Sequence, residues 1–270
     1  LLKRFTTNGM GPSQGKHSNM TALRVLAKAL GKPIDEVGTT TARPLYHPVP
    51  MAHLGGRRFH PHRHTPLDAE LDALGAVWMP AGVWRRPAYF ARPGMSREAC
   101  IAAEVAAVRE RCGLIDVGTL GKIEVRGPQA GELLERLYTG RFAAMKPGTT
   151  RYALALDEAG VVIDDGVVGR LADDHFYVST TTSAAPAVYR EMQRWNAVWR
   201  LEATLVNLTG HMAALSLAGP HAPAVLQRVL DLPIAELPYL ALRRASFRAG
   251  LGLDGVEARV LRVGFVGEWG

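Results

Sequence analysis

The pattern of apolar and polar positions is most informative over residues 147–168, PGTTRYALALDEAGVVIDDGVV. It predicts a strand over Tyr152–Asp157, a tight turn at Glu158-Ala159-Gly160 and a second strand over Val161–Val168. Two adjacent acids, Asp164 and Asp165, sit inside that second strand among Val161, Val162, Ile163, Val167 and Val168. Successive strand side chains point to opposite faces, so one aspartate faces inward and the other outward. A carboxylate in an apolar strand is costly unless it is paired or working. The plainer reading is a strand end where both acids see water.

The same patterning orders the rest of the chain. A helix is expected over Asn19–Leu30, with Met20, Leu23, Leu26, Ala27 and Leu30 as its apolar stripe and Gly31 as its stop. Leu67–Leu74 reads as a short helix and Gly75–Val83 as a strand bent at Pro80. Residues 96–112 form the clearest helix, capped by Ser96, with Ile101, Val105 and Val108 as its core face and Gly113 as its stop. Strands at 114–117 and Gly121–Arg126 follow, then a helix at Gln129–Tyr138. After the hairpin come a strand at Phe176–Thr180 and a helix at Ala184–Trp195. Strands at 203–206 and 212–217, a helix at His221–Leu230 and strands at 241–250 and 256–265 complete the order. Strands and helices mix without strict alternation, so the fold class is α+β. A Gly-Pro turn twice leaves a strand and enters a helix, in KIEVRGPQA and AALSLAGPHAP, which is a weak internal repeat.

Composition changes this picture in three places. Residues 1–97 carry 14 Lys and Arg against 5 Asp and Glu, and residues 98–270 carry 18 against 20. The net +7 therefore divides into +9 and −2, and the basic front suggests an anionic partner. Cys100 and Cys112 fall in one predicted helix and cannot easily reach each other, which fits a reducing cytoplasmic setting. No apolar run approaches the roughly 18 residues of a membrane span, and no signal peptide is visible, so no membrane association is expected.

Candidate chemistry in the front half is sparse. FTTNGMGPSQGKHSNM (5–20) places a glycine-rich turn before a helix, where a phosphate can be held. It is not a Walker A loop, because Met10 and His17 replace the required glycine and hydroxyl residue. A plain loop into a helix explains it equally well. Residues 32–64, rich in Pro, Arg and His, read as an extended linker. His60, His62 and His64 alternate, but Arg57, Arg58 and Arg63 would repel a cation, so no metal site is expected. The cluster from Trp84 to Phe90 can touch a flat ligand or RNA, although a half-buried edge strand is the commoner use of such a run.

Taken together, several segments resemble the folate-binding aminomethyltransferases, the T protein of glycine cleavage and its relatives. They are Thr65-Pro66-Leu67, GLIDVGTLGKIEVRGPQA (113–130), GTTRYALALDEAGVVIDDGVV (148–168), AALSLAGPHA (213–222) and VGFVGEWG (263–270), in the family's order. Within the family the chain is most similar to the α subunits of heterotetrameric sarcosine oxidases. Residues 5–20, the GTTTARP segment (38–44) and YVSTTTS (177–183) carry that closer likeness.

The resemblance implies three parts. Residues 1–31 are the end of a preceding domain, 32–64 a linker, and 65–270 a folate-binding domain that is expected to continue past Gly270. It implies tetrahydrofolate as ligand, with Asp164 beside the reactive nitrogens as the catalytic group. Glu268 would bind the pterin's N–H edge, Tyr152 would line the pocket, and Thr181 would stand where the T protein has an asparagine. Asp165 would support the strand. It implies an assembly with β, γ and δ subunits, in which flavin on the β subunit oxidises an N-methyl amine. The methylene group then passes to tetrahydrofolate to give 5,10-methylenetetrahydrofolate. FMN, FAD and NAD would be bound mainly outside this chain, although residues 3–18 would approach the FMN phosphate. Arg4, Thr6, Thr7, Gln14 and Lys16 are the contacts so implied. Ser13 and Ser18 stand where related segments carry cysteines, so no iron–sulfur cluster is expected, and nucleic acid is not an expected partner. The alternatives are a glycine-cleavage aminomethyltransferase, or a non-catalytic folate- or RNA-binding member of the fold. Against the last, the K-G-C-x-x-G-Q-E signature of such members is absent while the paired acids are present.

Overall fold

The structure, a computed structural model, describes residues 1–44, 46–56 and 61–264. The chain divides into two compact units, Leu1–His60 and Pro61–Gly270.

The first unit holds helices α1 (Leu2–Thr6), α2 (Asn19–Leu30), α3 (Ile34–Val37) and α4 (Met51–Leu54). Helix α2 has the expected bounds, and Gly31 ends it in the left-handed conformation, its N–H bonding to the carbonyls of Ala27 and Lys28. The glycine-rich loop wraps onto Asn19. Its Nδ2 donates to the Gln14 carbonyl (3.2 Å) and to Thr40 Oγ1 (3.1 Å), and its Oδ1 accepts from Asn8 (3.2 Å). A Cβ on Gly15 would lie 2.1 Å from that Oδ1, so the glycine is needed for a close approach within the unit. Arg57, Arg58 and His60 lie outside the described residues.

The second unit begins with α5 (Asp68–Ala73) and a hairpin of β1 (Ala76–Ala81) and β2 (Trp84–Phe90). The irregularity in this hairpin is a register shift between Val77 and Trp78, not the expected bend at Pro80. The basic-aromatic run is a half-buried strand, with the Arg85 guanidinium 4.1 Å from the Trp78 ring centre. Helix α6 (Arg97–Glu110) follows, and Ser96 Oγ accepts from the Ala99 N–H as a cap should. Its buried residue is Cys100, whereas Val105 is 47% exposed. The expected core face is therefore rotated. Alanine-rich helices carry so little apolar contrast that partners choose the face, and here Glu104 turns inward to accept the Phe90 N–H (2.7 Å). Cys112 lies beyond the helix end, and both cysteines are free.

Next come β3 (Gly113–Asp116), β4 (Gly121–Arg126), α7 (Ala130–Leu137), β5 (Thr149–Leu156), β6 (Val162–Ala172), β7 (His175–Thr180) and α8 (Ala185–Trp199). The chain continues through β8 (Thr204–Asn207), β9 (Leu215–Ala218), α9 (Ala222–Val229), β10 (Leu242–Ser246) and β11 (Glu257–Leu261). A five-stranded antiparallel sheet runs β5-β6-β7-β4-β8. Its core joins Ile123, Val125, Leu133, Leu134, Phe142, Val168, Phe176, Val178 and Met192. Burying each such side chain contributes about 1.5–3 kcal/mol.

The weak repeat seen in the sequence is an extended structural one. Gly127 and Gly219, Tyr138 and Leu230, Thr149 and Ala241, and Arg170 and Arg262 all stand 92 residues apart. Both glycines have positive φ, 129° and 118°, and a Cβ on either would meet a backbone carbonyl at 2.3 or 2.5 Å. Tyr138 bridges to Ala155 as Leu230 bridges to Phe247. Thr150 pairs with Gly169 in one hairpin and Leu242 with Leu261 in the other. Arg170 reaches back to the Met145 carbonyl, and Arg262 to that of Leu237. The two hairpins meet at Thr149 and Ala241, each the other's counterpart. The Thr150 N–H donates to the Leu240 carbonyl (2.7 Å), and the Leu242 N–H to the Gly148 carbonyl (2.9 Å). β4 pairs with β8 and β9 with β3, so each half takes a strand from outside its own β–α–hairpin run.

Candidate functional site

The first half's hairpin positions the paired acids. Asp157 Oδ1 accepts the N–H groups of Ala159 (2.9 Å) and Val161 (2.8 Å), and Gly160 takes φ 80°, which closes the turn. A register shift between Ala155 and Leu156 follows. Asp164 then pairs with Ala155, and Asp165 with Leu154.

The two acids face opposite sides of the sheet, as the alternation requires. Asp164 shares the core-facing side with Ala153, Ala155 and Val168 and is 5% exposed. Thr181 Oγ1 donates to its Oδ1 at 2.6 Å, and the Thr181 N–H lies 3.3 Å from both oxygens. Burial pushes the Asp164 carboxyl above the ordinary carboxylate range, and the adjacent Asp165 charge adds to the rise. The Thr181 hydroxyl, then the backbone N–H groups of Thr181 and Asp165, oppose it.

Asp165 lies on the other face and accepts the Tyr152 hydroxyl at 2.6 Å. Tyr152 is 55% exposed, and its bond to Asp165 first, then burial and the charge of the acids, raises its phenol above the ordinary value. The structure thus brings Thr181 to the first acid and Tyr152 to the second. Glu268 lies outside the described residues.

Two glycines permit this arrangement. A Cβ on Gly166 would lie 1.8 Å from the Ser179 carbonyl oxygen, and one on Gly121 would lie 1.9 Å from Thr180 Oγ1. β7 therefore passes close against β6 and delivers Thr181 to Asp164. The neighbouring threonines are also tied down. Thr180 Oγ1 donates to the Thr181 carbonyl (3.2 Å), and Thr182 Oγ1 meets Thr119 Oγ1 at 3.0 Å.

Thr119 belongs to a loop locked by Lys122. The Lys122 ammonium is fully buried and donates to the carbonyls of Gly118 (2.7 Å) and Leu120 (2.9 Å). Burial pulls it down to about 8, against the nearby charge of Asp116. Asp116 in turn accepts the Gly118 N–H (2.7 Å) and the Thr65 hydroxyl. On the same face of β4, buried Glu124 holds Arg259 of β11 and Arg126, with His175 Nε2 at 3.4 Å. The contacts of Thr65 with Asp116, of Glu124 with Arg259 and His175, and of Thr119 with Thr182 join residues distant along the chain, so the sequence pattern carries no sign of them.

The residues expected near a flavin phosphate are partly engaged within the first unit. Gln14 exchanges bonds with both backbone groups of Arg43 (2.7 and 3.3 Å), and Lys16 donates to the Tyr46 carbonyl and stacks on its ring at 4.2 Å. Thr6 Oγ1 bonds to the Leu2 carbonyl, Thr7 Oγ1 to that of Thr6, and Arg4 is exposed on α1. Among the described residues no cluster of three or more His, Cys, Asp or Glu is arranged to hold a metal. His64 Nδ1 instead lies 3.0 Å from Asp68. No helix among the described residues is long and apolar enough to cross a membrane.

The family model described as the GCVT N-terminal domain matches residues 67–270. The chain belongs to the GCVT family. A second model, the sarcosine oxidase A3 domain, matches residues 1–58. The sarcosine oxidase subunit alpha of Rhizobium meliloti (strain 1021) is 38% identical over 278 residues, covering 99% of this chain and 28% of the relative. That of Corynebacterium sp. (strain P-1) is 36% identical over 277 residues with the same coverage. The aminomethyltransferase of Streptomyces coelicolor is 34% identical over 208 residues, 77% of this GCVT chain and 52% of the relative. The crystal structure of glycine cleavage system aminomethyltransferase T from Bartonella henselae matches with TM-score 0.64 and 25% identity, over 77% of this chain and 52% of that one. The chain thus spans 28% of the length of the sarcosine oxidase subunits and about half that of the aminomethyltransferases. The expected likeness to sarcosine oxidase α subunits and the expected aminomethyltransferase-like α+β fold are both borne out.

Proposed function

We propose that residues 65–270 bind tetrahydrofolate as part of a sarcosine oxidase α subunit, and that Asp164 handles the proton in forming 5,10-methylenetetrahydrofolate. The observation that carries this reading is a carboxyl group buried on a strand, raised by desolvation and held by Thr181. Such a group holds a proton more readily than an exposed aspartate does, which suits it to acid–base work. Tetrahydrofolate, when bound, supplies the amine nitrogens that accept the carbon. The donor set suits a folate. Asp164 offers an acceptor to N–H groups, while the exposed Tyr152 ring, on the opposite face of the sheet beside Asp165, offers a flat apolar surface there. Thr181 keeps the carboxylate oriented, and Asp164 takes the proton released as a nitrogen bonds to carbon. Glu268, with a second carboxylate, would bind the pterin's donor edge.

The amine would be oxidised by flavin on the β subunit, with γ and δ subunits completing the assembly and FMN, FAD and NAD held mainly by other parts of it. The match of residues 1–58 to the sarcosine oxidase A3 domain favours this over a glycine-cleavage aminomethyltransferase. The test uses the full complex with sarcosine and tetrahydrofolate, measuring methylenetetrahydrofolate against free formaldehyde. Asp164→Asn is expected to lower folate capture about 100-fold or more, diverting carbon to formaldehyde while folate still binds. Equal loss of binding and capture would remove the catalytic role. Transfer from an aminomethylated carrier protein would favour the glycine-cleavage reading.

A further inference from the structure

Tyr138 ends α7, and its side chain is 5% exposed. Its ring packs edge-on against Phe142, with centres 6.4 Å apart. Its hydroxyl is buried and has no hydrogen-bond partner among the described residues. A buried hydroxyl left in that state is costly, and its position calls for an explanation.

The sheet register supplies one. Tyr138 bridges to Ala155, and Ala155 pairs with Asp164. Residues directly opposite on neighbouring strands point to the same face, so Tyr138, Ala155 and Asp164 form one cross-strand row on the core-facing side. Two strand spacings, about 10 Å, separate the ends of the row. The residue between them in the row, Ala155, carries only a methyl group, which leaves the long phenol room to extend toward the carboxylate. The charge of Asp164 in fact opposes ionisation of the Tyr138 hydroxyl, which burial already raises.

The second half of the repeat is an internal control. Ninety-two residues on, Leu230 bridges to Phe247, and Val256 holds the sequence position equivalent to Asp164. Where the acid is missing, the hydroxyl is missing too, and a bulky ring replaces the small residue between them.

We propose that Tyr138 is a positioning residue for Asp164, its hydroxyl donating through one bridging water to the carboxylate oxygens. This rests on reading Asp164 as the proton-handling group. The donor completes a second side of the carboxylate's shell, opposite the bonds from Thr181, and favours its charged form. The other titratable groups near Asp164 are Asp165, its chain neighbour, and Tyr152, which holds Asp165 on the opposite face.

The test is Tyr138→Phe in the full-length protein. The acid limb of the pH profile for folate-dependent methylene capture should move up by about one pH unit, the shift expected on losing a hydrogen bond to a charged group. An unmoved limb together with a higher Tm is the signature of an idle hydroxyl removed from a core, and would overturn the assignment. A second measurement needs neither folate nor a large substitution. With 3-fluorotyrosine at position 138, the fluorine resonance of the ligand-free protein should follow the ionisation of Asp164, and that titration should vanish in Asp164→Asn. A resonance that stays flat from about pH 4 to 8 would also overturn the assignment. Failure of the wild-type protein to bind folate would instead count against the proposed function, so the two failures are distinguishable.

Discussion

Residues 121–172 and 213–264 share the order strand, helix, hairpin, yet Asp164 has Val256 as its sequence counterpart, Tyr138 has Leu230, Lys122 has Ala214 and Gly166 has Ala258. The positions that agree are those that set the path. Gly127 and Gly219 turn a strand into a helix, and Arg170 and Arg262 tie the following loop to the hairpin. Among the positions that differ are buried polar groups and the glycine that brings their partners close. The scaffold therefore stands without the acid, and the acid is an addition that one half alone supports. Its partners come from β7, which packs on β6 at the edge where Thr181 can reach it.

The sharpest way to break this comparison is at Gly166. An added Cβ would meet the Ser179 carbonyl at 1.8 Å, so Gly166→Ala should cost about 3 kcal/mol in urea unfolding. The reverse change in the other half, Ala258→Gly, should cost only about 0.5–1 kcal/mol, the conformational term for glycine in a strand. Equal losses would mean that the halves are not distinguished by how closely β7 approaches.

A smaller effect should follow pH. The folded-state pKa of Asp164 is raised, so its ionisation opposes folding above that value, and the penalty disappears below the ordinary carboxylate pKa. Asp164→Asn should therefore raise Tm at neutral pH, with the gain shrinking toward acid. Val256→Asn should show no such pH dependence. A gain that grows on acidification would reverse the assigned direction.

The smallest effects belong to the exposed cross-strand pairs. Tyr152 with Asp165, and Arg244 with Glu257, occupy equivalent places in the two hairpins. Solvent competes for both pairs, so Tyr152→Phe and Glu257→Gln should each leave the melting curve of the ligand-free protein nearly unchanged. A large loss at Tyr152 would show that its face is less open than its exposure indicates.

Local signals explain what could be read from the chain. The hairpin at Asp157–Gly160, the cap at Ser96 and the stop at Gly31 rest on turn and cap chemistry confined to a few residues, and the structure places them as expected. That one acid is buried and its neighbour faces the other way followed from strand alternation alone, whereas the bond from Tyr152 to Asp165 did not. The rotated face of α6 was not legible, because Cys100 and Glu104 are drawn inward by strands that the helix pattern does not encode. Nor was the Tyr138 row, which needs the register of two separate strand pairings. The extent of the repeat was hidden for a related reason. Only the Gly-Pro turns stand out between the halves, while the backbone bonds that make them equivalent leave no mark on side-chain identity.

The joint at Thr149 and Ala241 has a geometric consequence. Two strand edges bond there through reciprocal contacts between like positions, the isologous arrangement of a twofold homodimer, here enclosed within a single polypeptide. Covalent linkage frees such a pair from the constraint that both members carry the same residues. One member can then keep an ionisable group that symmetry would otherwise have forced the molecule to bury twice.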